Sequence, residues 1–136
     1  MLLVLNILGV LNAAPVGTAV ATYYDSRTAQ CVAFEWQSST NQTATLTSKA
    51  LSGELGRVVF VNGTTTNAPL VGYGITITDV SGLDILCGAG STLTNTDTTV
   101  VGFTANKLPV LFDGKLIFGV TGAGTNKTGT VYLFYR

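Results

Sequence analysis

The 136-residue chain contains no histidine. That absence removes Ser-His-Asp and Cys-His nucleophilic arrangements outright. Charge is also scarce: Asp, Glu, Lys and Arg make up 10% of the chain, well below the roughly 25% of an ordinary soluble domain. Seven basic and seven acidic residues cancel. The basic ones, Arg27, Lys49, Arg57, Lys107, Lys115, Lys127 and Arg136, are scattered singly. Phosphate neutralisation needs clustered Lys and Arg, so nucleic acid is not an expected partner. Cysteine is limited to Cys31 and Cys87, both among apolar residues (CVAFEW and DILCGAG). Their spacing fits no zinc pattern, and without histidine neither a metal nor another cofactor is expected. Two buried free thiols are the expectation, with a disulfide left open. No segment has a sustained helical period, and no run reaches the ~20 apolar residues of a membrane helix.

What is present is apolar and β-branched. Hydrophobic residues are 46% of the chain, enough for one domain spanning 1–136 with a real core. Short runs bounded by Gly, Asn, Asp and Thr predict strands at 16–24, 31–37, 43–51, 55–62, 73–79, 98–104, 108–112, 115–121 and 129–135. In Tyr73-Gly-Ile-Thr-Ile-Thr one face carries Tyr73, Ile75 and Ile77, and the other carries threonines. That is the pattern of a half-buried strand. Asp113-Gly114 between two apolar runs predicts a two-residue hairpin, and Asn62-Gly63 closes the strand before it. The best chance of a helical turn is Ser81–Leu86. About nine short strands at this spacing predict an all-β fold, a single antiparallel β-sandwich or barrel without substantial helix.

The first fourteen residues, MLLVLNILGVLNAA, are apolar but lack the positive start of a secretory signal; no charge precedes Asp25. They read as an apolar arm or first strand. Three N-x-T triplets, at Asn41, Asn62 and Asn126, carry meaning only in a secreted chain.

Little here suggests chemistry. Asp79 and Asp84 are a close acidic pair, and a calcium loop or a glycosidase-like pair is the functional option. Turn capping through their own backbone is the simpler expectation. Gly88-Ala-Gly90 lacks the Lys-Ser/Thr and the helix of a phosphate loop. Trp36 with Tyr23, Tyr24 and Phe34 offers a possible sugar platform. Alternation instead puts Phe34 and Trp36 together on one strand face, as core or interface.

Five phrases then occur in order: Ser52-Gly-Glu-Leu-Gly-Arg-Val-Val-Phe60, Tyr73-Gly-Ile-Thr-Ile-Thr-Asp79, Gly82-Leu-Asp-Ile-Leu-Cys-Gly-Ala-Gly90, Asp113-Gly-Lys-Leu116, and Gly122-Ala-Gly-Thr-Asn-Lys-Thr-Gly-Thr-Val-Tyr-Leu-Phe-Tyr-Arg136. As a set, over roughly 52–136, they resemble a family of small tailed-bacteriophage virion proteins encoded in or near the head genes. The resemblance implies a structural virion protein and no enzyme. The expected role is a capsid decoration (cement) protein on the capsid surface, made in the host cytoplasm. Its expected partners are the major capsid protein and neighbouring copies of itself in a symmetric lattice, with no membrane. The candidate contact residues are Leu2, Leu3, Val4, Leu5, Ile7, Leu8 and Val10 in the arm, then Tyr23, Tyr24 and Trp36. A tail, neck or head-fibre position is the alternative within the class. A secreted β-sandwich binding glycans is the alternative outside it.

Overall fold

The computed structural model describes residues 17–96, 98–102 and 109–136. Among the described residues seven strands form: β1 (Thr18–Asp25), β2 (Gln30–Gln37), β3 (Ala44–Asn62), β4 (Gly74–Thr78), β5 (Thr99–Gly102), β6 (Leu111–Thr121) and β7 (Thr128–Tyr135). The helical content is one 3-10 turn, Thr65–Asn67, among the described residues. The all-β expectation is met. Ser81–Leu86 forms turns rather than helix.

The strands make one antiparallel sheet in the order β1-β2-β7-β3-β6-β4, with β5 added beside β3. The expected nine strands become seven because two pairs fuse. Residues 43–51 and 55–62 join into the 19-residue β3. The first half of β3 pairs with β6, and the second half with β7 and β5. Register shifts between Thr47 and Ala50, and between Leu55 and Arg57, bend β3 as it passes from one set of partners to the other. Gly53 lies at the changeover, where a Cβ would come within 2.8 Å of the Arg136 carbonyl oxygen.

The second fusion overturns the predicted hairpin. Asp113 and Gly114 lie inside β6, opposite Ser52 and Leu51. A turn there would have paired the two halves of β6 with each other. Both halves instead pair with β3 across one register shift, and that long ladder outweighs the local turn preference. Gly114 carries the required positive φ, +98°, within the strand. Asn62-Gly63 does end β3 as expected.

The sheet is folded over rather than flat. β7 and β3 lie between β2 and β6, so a flat sheet would hold β2 and β6 about 14 Å apart at ~4.8 Å per strand. Phe34 of β2 and Phe118 of β6 instead stack with ring centroids 4.9 Å apart and planes 4° from parallel. The β1-β2-β7-β3-β5 half and the β3-β6-β4 half thus share one core, with Phe34, Val58, Leu133, Ile77, Leu116 and Phe118 fully buried. The sheet remains open and does not close into a barrel. β1 and the first half of β3 run side by side in the same direction. A single bridge, Gly17 with Ala44, and a hydrogen bond from Lys49 N–H to the Tyr23 hydroxyl (3.0 Å) join them.

The free edge of β4 is covered by the loop that follows it. Ile75 N–H donates to the Gly90 carbonyl (2.8 Å), Ile85 N–H to Ile77 (2.8 Å) and Leu93 N–H to Tyr73 (2.9 Å). Ile85, Leu86 and Leu93 of this loop enter the core. The loop blocks strand addition at that edge.

Candidate interaction surface

The acidic pair is consumed by this loop. Asp79 Oδ1 accepts from Ser81 N–H (2.9 Å), the Ser81 hydroxyl (2.6 Å) and Leu83 N–H (3.2 Å). Asp84 Oδ1 accepts from Ile77 N–H (3.2 Å) and Leu86 N–H (3.1 Å), and Oδ2 from Gly88 N–H (3.0 Å). Both carboxylates therefore hold turns, and Gly88 serves Asp84. No grouping of three or more His, Cys, Asp or Glu able to hold a metal exists among the described residues.

The Ser81 hydroxyl, together with backbone amides, holds the Asp79 carboxyl below the usual carboxylate range. A depressed folded-state value means that Asp79 stabilises the fold fully above its unfolded value of about 4. That contribution is lost as pH falls through the lower folded value. Below about pH 4 the melting temperature of the native chain is expected to fall more steeply than that of Asp79→Asn. Parallel melting-temperature profiles for the two proteins would contradict this assignment.

The two thiols differ in setting. Both are free, but Cys31 is buried and Cys87 is exposed, which corrects the expectation of two buried thiols. Cys87 sits in a left-handed conformation, φ 52°, on the turn held by Asp84, so its side chain is turned outward. Burial pushes the Cys31 thiol up, opposed by the Arg57 charge.

Among the sequence-derived contact residues, Leu2, Leu3, Val4, Leu5, Ile7, Leu8 and Val10 lie outside the described residues. Trp36 belongs to the core and is not an open contact: it is 4% exposed, and its ring lies 5.9 Å from that of Tyr73. Gly129 makes room for it, since a Cβ there would fall 2.7 Å from the indole. Phe34 is buried beside it, so the four aromatics form no sugar platform. Tyr23 is half-buried, with Lys49 Nζ 4.2 Å above its ring. Tyr24 is exposed on the opposite face of β1.

Of that opposite face, Tyr24 alone was among the sequence-derived contact residues. Strand pairing aligns its residues in rows across the β1-β2-β7-β3-β5 half. One row runs Tyr24, Cys31, Phe134, Arg57. The next runs Thr22, Ala33, Tyr132, Val59, Val100. The third runs Val20, Glu35, Thr130, Val61. Tyr132 and Phe134 stack at 6.5 Å, and the Arg57 guanidinium lies 4.2 Å over Phe134. Between Val20 and Val61, where the rows approach Gly63 and Thr128, a trough of about 400 Å³ crosses the four strands. Val20, Tyr24 and Val100 are among the most exposed large apolar side chains of the described residues.

The other half of the sheet behaves differently. Across β3-β6-β4 the outward rows are Thr45, Gly119, Thr76 and Thr47, Ile117, Thr78. Threonine dominates these two rows, and its hydroxyls suit water, although Ile117 is 47% exposed among them and Leu111 is open farther along β6. The signal that separates the two halves was in the sequence. Ala44-Thr-Leu-Thr and Gly74-Ile-Thr-Ile-Thr alternate, whereas Val58-Val-Phe-Val61 and Val131-Tyr-Leu-Phe-Tyr135 do not. A strand without alternation is one with apolar residues on both faces. No protein-family model matches this sequence, and no curated protein is significantly similar to it.

Proposed function

We propose that this chain is a structural protein of a tailed-bacteriophage particle, a capsid decoration protein that acts by surface contact and not by chemistry. The observation that carries the proposal is the two-sided apolar sheet. A large outward apolar surface is a mark of protein–protein contact. The polar groups that could have performed chemistry, Asp79 and Asp84, are engaged in turn hydrogen bonds. The resemblance of the five phrases to a virion family supports the same reading; they supply the second half of β3, β4 with its covering loop, part of β6, and β7. A scaffold of few charges suits repeated, partly dry contacts in a symmetric shell.

The test is occupancy. Full-length protein is mixed with undecorated heads of the phage that encodes it, sedimented, and counted per particle by quantitative mass spectrometry and imaging. Hundreds of copies on the head are expected. Removing residues 1–12, the apolar arm, is expected to abolish binding to the shell. Six or twelve copies at the neck would contradict decoration, and no binding to any particle would contradict a virion role.

A further inference from the structure

The outward face of the β1-β2-β7-β3-β5 half calls for a partner of matching chemistry. We propose that the partner is a second copy of this chain, packed face to face about a two-fold axis through Tyr132. Charge placement carries the argument. Arg57 and Glu35 are the charged residues of the three rows. Arg57 lies one strand to one side of Tyr132 and one row along. Glu35 lies one strand to the other side and one row along in the opposite direction. A two-fold axis in the plane of the face, crossing it between them at Tyr132, sets each Arg57 against the partner's Glu35. Neither side chain has an ion pair among the described residues, where Arg136 with Glu54 at 3.6 Å is the pair formed. Two such cross-pairs fix the register of an otherwise apolar contact.

The flat extent of the three rows is below that of a standard interface, and the surrounding relief and trough must supply the remainder. Five strands at ~4.8 Å and three rows at ~7 Å give a footprint of roughly 500 Å² before side-chain relief. Standard specific interfaces bury about 800 Å² per partner. The protruding Val20, Tyr24 and Val100 add relief, and the trough beside Val20 extends the face further. The floor between them is already dry: Ala33 is 1% exposed although it lies on the side away from the core. A face carried identically by both copies is what an isologous two-fold contact requires.

The inference concerns the isolated protein and does not rest on its place in a particle. Sedimentation equilibrium of the full-length chain is expected to show a dimer. Arg57→Glu or Glu35→Arg alone sets like charges against each other twice, and each is expected to weaken dimerisation at least about tenfold. The double exchange, Arg57→Glu with Glu35→Arg, is expected to recover most of that loss, which a merely unfolded variant could not do. Tyr132→Lys is expected to give a folded monomer with an unchanged far-UV spectrum. A native chain that sediments as a monomer overturns the proposal, even if the face becomes protected on a shell. So does a dimer indifferent to these substitutions. A dimer that ignores shells would leave this inference standing and overturn the decoration role.

Discussion

Phe34→Ala is expected to remove about 3–5 kcal/mol from the stability of the fold, the usual cost of deleting a buried aromatic. Phe34 is fully buried, and its ring stacks on Phe118 at 4.9 Å. The magnitude follows from position as well as size. This stack joins β2 to β6, two strands that share no ladder, and so holds the folded-over sheet shut. The loss therefore combines transfer of the ring with a cavity between the two halves that neither half can fill alone. Equilibrium denaturation in urea measures it. Phe118→Ala should cost a similar amount. The double variant should lose less than the sum by about 0.5–1.5 kcal/mol, the coupling of an aromatic pair. A cost under about 1 kcal/mol for Phe34→Ala would mean that the halves do not pack on each other.

Asp84→Ala is expected to cost about 1.5–3 kcal/mol, the range for hydrogen bonds to a charged acceptor. One carboxylate satisfies three backbone N–H groups, those of Ile77, Leu86 and Gly88, at 3.0–3.2 Å. Removing it leaves the Ile77 amide at the edge of β4 without its acceptor. It also loosens the turn that delivers Ile85 and Leu86 to the core. Hydrogen exchange provides the specific readout: Ile77, Leu86 and Gly88 should lose protection well before the amides of β2 and β7. Uniform loss across the fold, or no loss, would contradict the clamp. Asp84→Asn keeps one acceptor oxygen and should cost less.

The contrast between legible and illegible elements is physical. Ile75 and Ile77 alternate with threonines, and β4 was readable because burial on one face writes itself as period two. Phe34 and Trp36 were placed on one face by the same rule, and both are in the core. The turn roles of Asp79 and Asp84 were legible because Asx geometry is local. Asp113-Gly114 misled because its meaning is settled by β3, about sixty residues earlier in the chain. Ser52-Gly-Glu54 misled in the same way: it reads as a loop and is the middle of a strand. The outward rows of Tyr24, Phe134, Tyr132 and Val59 could not be listed from sequence, since they exist only once four strands are in register. What the sequence did carry was the loss of alternation in β7 and the second half of β3, the trace of a sheet covered on both sides.

The pairing order also governs when the protein can fold. β2 pairs with β7 and β3 pairs with β6 and β7, so nearly every ladder joins an early strand to a late one. Among the described strands only the β1-β2 hairpin is local. A chain emerging from the ribosome can form that hairpin first and the β3-β5, β3-β6 and β4-β6 ladders once β5 and β6 are out, but the β2-β7-β3 centre of the sheet must wait for β7, since long-range pairing needs its partner. The Tyr132-centred face is assembled at the same late moment. Nascent chains consequently carry no finished Tyr132-centred face until β7 has emerged.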